Sequence, residues 1–200
     1  GAQRVEVLPT VVDLRRYAIA ARPALPDGPL RIGWIGSPAT IAYVRQLAAP
    51  LAALATQRRI VLRLIGATLD LPGVPTEHVP WTEAGEVQAI AELDVGVMPL
   101  PDSPWERGKC GYKLVQYLAC GVPVVASPVG VNTKIVQPGQ NGFLAATDAE
   151  WLQALTCLAD DAALRHRLGA QGRALVESRY SLQVAAPKLA AWLHELGARR

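Results

Sequence analysis

The sequence lacks several features that would place it in other classes of protein. It has no uninterrupted apolar run of about 18 residues, so we predict no transmembrane segment. Its three cysteines include no C-x-x-C pair, and an odd number does not favour a disulfide framework. Its three histidines are scattered, and no residues show metal-ligand spacing. We therefore predict no metal site, and the sequence alone names no catalytic residue.

Two common nucleotide-binding motifs are also absent. No G-x-G-x-x-G follows the first strand-like segment, which argues against a nicotinamide dinucleotide site, and no G-x-x-x-x-G-K-[ST] is present, which excludes a P-loop. The net charge of +3 comes without a clustered basic face, so we expect no binding to nucleic acid. Half of the residues are hydrophobic and 18% are charged, which is typical of a globular protein.

Short apolar segments alternate with helical ones along most of the chain. The apolar segments are continuous runs, typical of a parallel sheet covered by helices on both faces. We predict strands at 30–36, 59–67, 77–80, 94–100, 123–128 and 141–145. We predict helices at 39–57 (split near Pro50), 82–93 (with Thr82 as N-cap), 111–120, 148–159, 161–178 and 181–196, and a single helical turn at 132–137. The predicted fold is α/β, a doubly wound Rossmann-like parallel sheet with a C-terminal helical tail.

The predicted division of the chain follows from the same pattern. Residues 13–29 carry three prolines and a glycine, so we interpret 1–29 as an interdomain segment and linker. Residues 30–180 form the single α/β domain, and 181–200 form a C-terminal helix. Because the chain begins with Gly1 and opens directly on a strand-like segment, we expect it to be part of a longer protein.

Glycines follow three of the predicted strands. Because ligands of such sheets bind at the carboxyl ends of the strands, these turns are candidate phosphate cradles. The first candidate is Gly36 with Ser37. The second is Gly130 with Val131 and Asn132. The alternative is that each glycine makes only a tight turn.

Two lysines and a glutamine stand before the most apolar strand. If a helix starts between Gly108 and Gly111, then Lys109, Lys113 and Gln116 lie on one face of it. Two ammonium groups at a helix N-terminus favour a diphosphate, and an amide can bind a sugar hydroxyl. The alternative is a solvated helix face.

The most specific segment is 116–144, "QYLACGVPVVASPVGVNTKIVQPGQNGFL". It is similar to the pattern "EAMACGxPVVAxxxGGxxEIVxxGxxGxL". Before it come "VLPTVVDLRRY" (7–17), "RIGWIGSP" (31–38) and "ELDVGVMPL" (92–100), each with a counterpart in the same order. With these segments, the chain resembles the C-terminal, donor-binding domain of the retaining GT-B fold glycosyltransferases often called family 4 or group 1. The resemblance extends over about residues 7–190.

The resemblance implies a nucleotide-diphosphate sugar as donor substrate, with UDP or GDP as its nucleotide, and no resident cofactor. In that family a pair of glutamates spaced E-x7-E binds the donor sugar and the ribose. Here Gly108 and Gln116 occupy those positions, and Glu106 is two residues from the first. Gln116 is still able to bind the ribose without charge, and Trp81 is expected near the base, unless it is a packed loop aromatic. The predicted donor site contains Gly36, Ser37, Trp81, Glu106, Gly108, Lys109, Lys113, Gln116, Gly130, Val131 and Asn132.

The resemblance also implies an acceptor-binding domain before Gly1. The full-length protein would then be a transferase acting on a glycan or glycolipid, as in polysaccharide biosynthesis, and this part alone would be inactive. It would be cytoplasmic, and at the inner face of the membrane if the other half binds there. Two alternatives remain: a degenerate GT-B domain with a binding or assembly role, and a GT-B nucleotide-sugar epimerase.

Overall fold

The computed structural model describes residues 5–18 and 28–197. Six strands form one sheet in the order β3-β2-β1-β4-β5-β6, and every neighbouring pair is parallel. The strands are β1 (Leu30–Ile35), β2 (Ile60–Ile65), β3 (Thr76–Val79), β4 (Val95–Met98), β5 (Val124–Ala126) and β6 (Gly142–Leu144). The chain extends the sheet outward from β1 and then, in the opposite direction, from β4. This doubly wound topology confirms the predicted fold and puts its switch point between β1 and β4.

Helices cover both faces of the sheet. They are α1 (Ala48–Ala55), α2 (Glu86–Ala91), α3 (Pro104–Arg107), α4 (Tyr112–Ala119), α5 (Asn132–Ile135), α6 (Asp148–Asp160), α7 (Ala162–Arg179) and α8 (Leu182–Gly197). A 3-10 helix, Ile41–Leu47, runs directly into α1. The predicted helix 39–57 is therefore split, with Pro50 in the first turn of α1, where its missing N–H costs little.

One predicted helix start is wrong. Helix α2 begins at Glu86 with Gly85 as its N-cap residue, and not after Thr82. The hydroxyl of Thr82 accepts a hydrogen bond from the N–H of Gly85, 3.0 Å away, and so closes a turn before the helix. A threonine hydroxyl can either cap a helix or close a turn that precedes one, and both use a hydrogen bond to a nearby backbone N–H. The sequence alone therefore did not distinguish the helix cap from the turn.

The core has two parts, one on each face of the sheet. On one face α1 and α6 pack on each other, and their fully buried side chains, such as Leu51, Leu54 and Leu155, form one core cluster with residues of β1, β2, β4 and β5. On the other face α2, α4 and α7 pack on β4 and β5. The inner strands are mostly apolar on both sides because each side is covered, as the unbroken apolar runs predicted, whereas the edge strand β3 carries Glu77 and His78 and is partly exposed.

The segment before β1 is attached to the far end of the domain. The N–H of Val12 donates to Tyr180 O at 3.0 Å, and Leu182 N–H donates to Val12 O at 2.9 Å. Val12 and Tyr17 are both buried, so residues 12–17 of the predicted linker pack on the domain, whereas residues 5–8 are exposed. Residues 19–27 of that linker lie outside the described residues. Among the helices of the described residues, 5–18 and 28–197, none is both long enough and apolar enough to cross a membrane.

Candidate functional site

A cavity of about 680 Å³ opens at the carboxyl ends of β1 and β4. It lies where the winding of the sheet changes direction, which is the usual ligand position in such folds. Its walls come from the turn after β1, the loop before α2 and the segment leading into α4. They consist of Ile35, Gly36, Ser37, Pro38, Gly66, Trp81, Glu86, Met98, Gly108, Lys109, Cys110, Gly111, Tyr112, Lys113 and Gln116.

The cavity brings together most of the residues that the sequence singled out. Seven of them line it: Gly36, Ser37, Trp81, Gly108, Lys109, Lys113 and Gln116. The other four are not in its walls: Glu106, Gly130, Val131 and Asn132. Residues 36 and 108–116, far apart in sequence, meet here because β1 and β4 are neighbours in the sheet.

Helix α4 presents its N-terminus to the cavity. Its N-cap residue, Gly111, has a φ of +70° and provides no side-chain cap. A side chain at this position would also clash with Ile135, whose Cδ1 is 2.5 Å from an ideal Cβ. Because the helix begins only at Tyr112, Lys109 precedes it, and the expectation that Lys109 shares a helical face with Lys113 is wrong. Both lysines nevertheless line the same cavity.

Lys113 holds its charge against an aromatic ring. Its Nζ lies 5.4 Å from the centre of the Trp34 ring, and its Cε packs against Gly36. Burial, followed by the nearby charge of Lys109, lowers the pKa of Lys113 below its usual range. Within the described ranges, no carboxylate forms an ion pair with this ammonium group. The site therefore has a partly desolvated cation whose charge an anionic ligand would neutralise.

Lys109 is supported by residues behind the cavity wall. Its Nζ lies 5.2 Å from the centre of the Tyr43 ring. The Tyr43 hydroxyl donates to the carboxylate of Glu106, which also accepts a hydrogen bond from Ser103. These two hydrogen bonds lower the pKa of Glu106. Glu106 thus contacts the site through Tyr43, as part of the support for Lys109.

A second polar group, made of Tyr17, Glu86 and Gln116, adjoins Trp81 in the cavity wall. The Tyr17 hydroxyl donates to Glu86 Oε1 at 2.6 Å and accepts a hydrogen bond from Gln116 Nε2 at 2.9 Å. Trp81 Nε1 donates to Glu86 Oε2 at 2.7 Å. Burial and the hydrogen bond to Glu86 raise the pKa of Tyr17 well above its usual range. Gln116 therefore has a fixed partner as well as a place on the cavity wall.

The turn after β1 is held in place by Tyr117. This fully buried residue accepts a hydrogen bond from the N–H of Ile35 at its hydroxyl, at 2.9 Å. Since Tyr117 belongs to α4 and Ile35 ends β1, the bond joins the two walls of the cavity. Gly36, directly after Ile35, is thereby fixed relative to Lys113.

The second glycine turn lies behind the cavity. Gly130 has a φ of +55°, and an ideal Cβ there would be 2.5 Å from the carbonyl oxygen of Arg107. Val131 and Asn132 pack beside Gly111. Asn132 is buried and donates to Ser127 O at 3.0 Å. These three residues position the segment before α4, and their contact with a ligand stays a prediction.

Sequence reasoning missed Tyr17 and Glu86. Tyr17 falls in the segment interpreted as a linker, and Glu86 falls inside the predicted helix 82–93, where nothing in the sequence distinguishes it from a solvent-exposed residue. A glutamate that is only 7% exposed in a helix of six residues is unusual, but burial is not visible in the sequence. Among the described residues, no group of three or more His, Cys, Asp or Glu could hold a metal ion. The cavity thus offers two ammonium groups, from Lys109 and Lys113, and hydroxyl-binding oxygens, from Glu86 and Gln116.

Comparison with known proteins gives one family match. The model for "Glycosyl transferases group 1" matches residues 30–161. No curated protein matches the chain at a significant level.

Several solved structures share the fold. Sucrose-phosphate synthase from Thermosynechococcus elongatus has a TM-score of 0.74 at 18% identity, covering 100% of this chain and 54% of that one. Anabaena HepE in complex with UDP and glucose has a TM-score of 0.71 at 16% identity, with coverages of 92% and 55%. The C-terminal domain of LpcC, a glycosyl transferase group 1 family protein from Francisella tularensis, has a TM-score of 0.66 at 17% identity, with coverages of 86% and 99%. The chain therefore spans about half the length of sucrose-phosphate synthase and of HepE, and nearly all of the isolated C-terminal domain of LpcC.

Proposed function

Because this chain belongs to the glycosyl transferases group 1 family and has the fold of one GT-B half, we propose that its cavity binds the nucleotide-diphosphate sugar donor of a glycosyltransferase. The family match confirms the resemblance found in the sequence. The observation that carries the donor-site proposal is Lys113: a partly buried cation at the switch point of the sheet, with no carboxylate partner in the described ranges.

The diphosphate would lie at the Lys113 end of the cavity. There it would meet Lys113, Lys109 and the N-terminus of α4, all of which favour an anion. The turn at Gly36 and Ser37 would allow the backbone to approach the phosphates closely. The exposed ring of Trp81 would lie near the base, and Gln116 would bind the ribose. The HepE complex with UDP is the reason to test uridine nucleotides first, with guanosine nucleotides beside them.

The reaction itself would need the other half of the protein. In this proposal a preceding domain binds the acceptor, a glycan or glycolipid, and the sugar is transferred with retention of configuration. This chain alone would bind the donor weakly, because one wall of the cleft is absent, and would not turn over.

A degenerate domain that keeps the fold for binding or assembly is the second candidate. The observation in its favour is that Gly108 and Gln116 stand where the resemblance implies carboxylates.

Calorimetry of the 200-residue chain with UDP, GDP, UDP-glucose and GDP-mannose separates the two candidates. We expect heat from at least one of these ligands and less from the matching nucleoside monophosphate, because the lysines bind the diphosphate. If a folded sample gives no heat with any of them, the donor site is refuted and the degenerate domain is favoured.

A further inference from the structure

The cavity contains a carboxylate that the proposed donor site does not use. Glu86 projects from α2, which packs beside α4, and it is only 7% exposed while still lining the cavity wall. Arg16 and Tyr17 from the N-terminal segment bind its Oε1, at 3.2 and 2.6 Å. Three donors thus hold this carboxylate in position, Arg16 and Tyr17 at Oε1 and Trp81 at Oε2, and a carboxylate group accepts hydrogen bonds only.

Its two oxygens are not equally occupied. Oε1 has two donors, Tyr17 and Arg16, which fill its acceptor positions. In the part of the chain that the structure describes, Oε2 has one donor, Trp81 Nε1 at 2.7 Å. Oε2 can therefore accept one more hydrogen bond, from a donor inside the cavity.

The hydroxyl of Tyr17 determines the orientation of the neighbouring amide. A tyrosine hydroxyl has one proton, and here it is donated to Glu86. Tyr17 must then accept from Gln116, and Gln116 Nε2 is 2.9 Å away. The oxygen of the Gln116 amide diverges from this nitrogen, and so it is available as a second acceptor. A glutamate at position 116 could not make this bond, because an ionised carboxylate only accepts hydrogen bonds and the single proton of the Tyr17 hydroxyl is already donated to Glu86.

We propose that Glu86 is a specificity-determining residue of the donor site, whose Oε2 accepts a ribose hydroxyl of the nucleotide while the Gln116 amide oxygen accepts the adjacent one. The inference rests on the proposed function. Two neighbouring acceptors match the two neighbouring donors of a 2′,3′-diol. The negative charge of Glu86 also disfavours a phosphate directly beside it, which leaves the diphosphate to the lysines. The carboxylate of this site is thus on α2 rather than at position 116.

The first test compares sugar hydroxyls. We expect the wild-type chain to bind UDP or GDP at least tenfold more tightly than the 2′,3′-dideoxy form of the same nucleotide. Glu86→Gln should weaken ribonucleotide binding about tenfold and leave the dideoxy affinity unchanged. The matched control is Glu83→Gln, since Glu83 also binds Arg16 but is exposed and outside the cavity wall. It should change neither affinity.

The outcomes separate this inference from the function on which it rests. If wild type binds neither UDP nor GDP, both fail. If wild type binds but Glu86→Gln loses affinity equally for both sugar forms, Glu86 only supports the fold, and the inference is overturned. An unchanged ribonucleotide affinity in Glu86→Gln overturns it as well.

A charge exchange provides the second test. Gln116→Glu alone should weaken ribonucleotide binding, because it loses the hydrogen bond to Tyr17 and places a second carboxylate beside Glu86. The double variant Glu86→Gln with Gln116→Glu restores one donor and one acceptor around Tyr17, so it should bind more tightly than Gln116→Glu alone. If the two effects simply multiply, to within about twofold, the proposed coupling through Tyr17 is wrong.

Discussion

Replacing Lys113 with methionine should remove one positive charge from the cavity while keeping most of the side chain. The lysine stem packs between Gly36 and the ring of Trp34, with Nζ 5.4 Å from the ring centre. Methionine is unbranched and adaptable, so it can occupy the space of that stem. The substitution therefore tests the charge with little change in packing.

The expected loss follows from the partner that Lys113 would have. Two unit charges about 4 Å apart attract by about 4 kcal/mol at an effective dielectric constant of about 20. Desolvation and ordering reduce the net value of a charged hydrogen bond to about 1.5–3 kcal/mol. We therefore expect Lys113→Met to weaken binding of UDP or GDP by at least about tenfold, the change that corresponds to about 1.4 kcal/mol.

Lys113→Met should weaken nucleotide binding without lowering the stability of the fold. Because burial and Lys109 lower the pKa of Lys113 in the folded state, its charge opposes folding below that pKa. The penalty is relieved as the pH rises through the folded pKa toward the ordinary value of 10.5. At pH 7, Lys113→Met should unfold at a temperature no lower than that of wild type, so a loss of affinity would not reflect a loss of fold.

Calorimetric titration with UDP and GDP, together with thermal unfolding, measures both effects. Lys134→Met is the matched control, because Lys134 is exposed on α5 and outside the cavity wall, and the change in net charge is identical. Its affinity should equal that of wild type. An unchanged affinity in Lys113→Met, or an equal loss in Lys134→Met, would refute the assignment of Lys113 to the diphosphate.

Two further predictions concern stability. Gly139→Ala should cost about 1–2 kcal/mol, because φ is +76° but the space around an added Cβ is open. Gly130→Ala should cost at least about 1 kcal/mol more, because its Cβ would also meet a backbone carbonyl of α3 at 2.5 Å; equal losses in urea unfolding would rule out that contact. Arg63 lowers the pKa values of Glu77 and Glu92 below the ordinary 4.5, so it stabilises the fold above that pH and ceases to do so as the pH falls through the lowered values. Arg63→Met should cost about 1 kcal/mol at pH 7, since the carboxylates are 45% and 38% exposed, and a cost that persists at pH 3 would contradict the charge pairing.

The parts of the fold that were predictable are those in which one local pattern dominates. All six strands occur within the predicted ranges or one residue outside them. For the inner strands the reason is that continuous apolar runs of this length are stable here as doubly covered parallel strands. Short helices were less predictable. Helix α3 was missed, and α2 begins four residues after its predicted start at residue 82, because a single turn is stabilised by its surroundings more than by its own sequence.

The residues of the candidate site also differ in whether the sequence alone could identify them. The glycine turn at Gly36 and the two lysines carry local signals, and all three residues line the cavity. The hydrogen-bonded set of Tyr17, Glu86 and Gln116 carries none. Glu86 lies 69 residues after Tyr17, and Gln116 a further 30 residues on, so they meet only when α2, α4 and the N-terminal segment pack together.

The amino-acid sequence was sufficient for the α/β class, the order of the elements and the family, because periodicity, turn residues and motif spacing are properties of neighbouring residues. Packing was needed to identify the carboxylate that faces the cavity, the residue that holds it, and the reason why position 116 is an amide. Those properties depend on burial and on how one tyrosine proton is shared. Both arise only when distant segments are brought within hydrogen-bond distance and water is excluded.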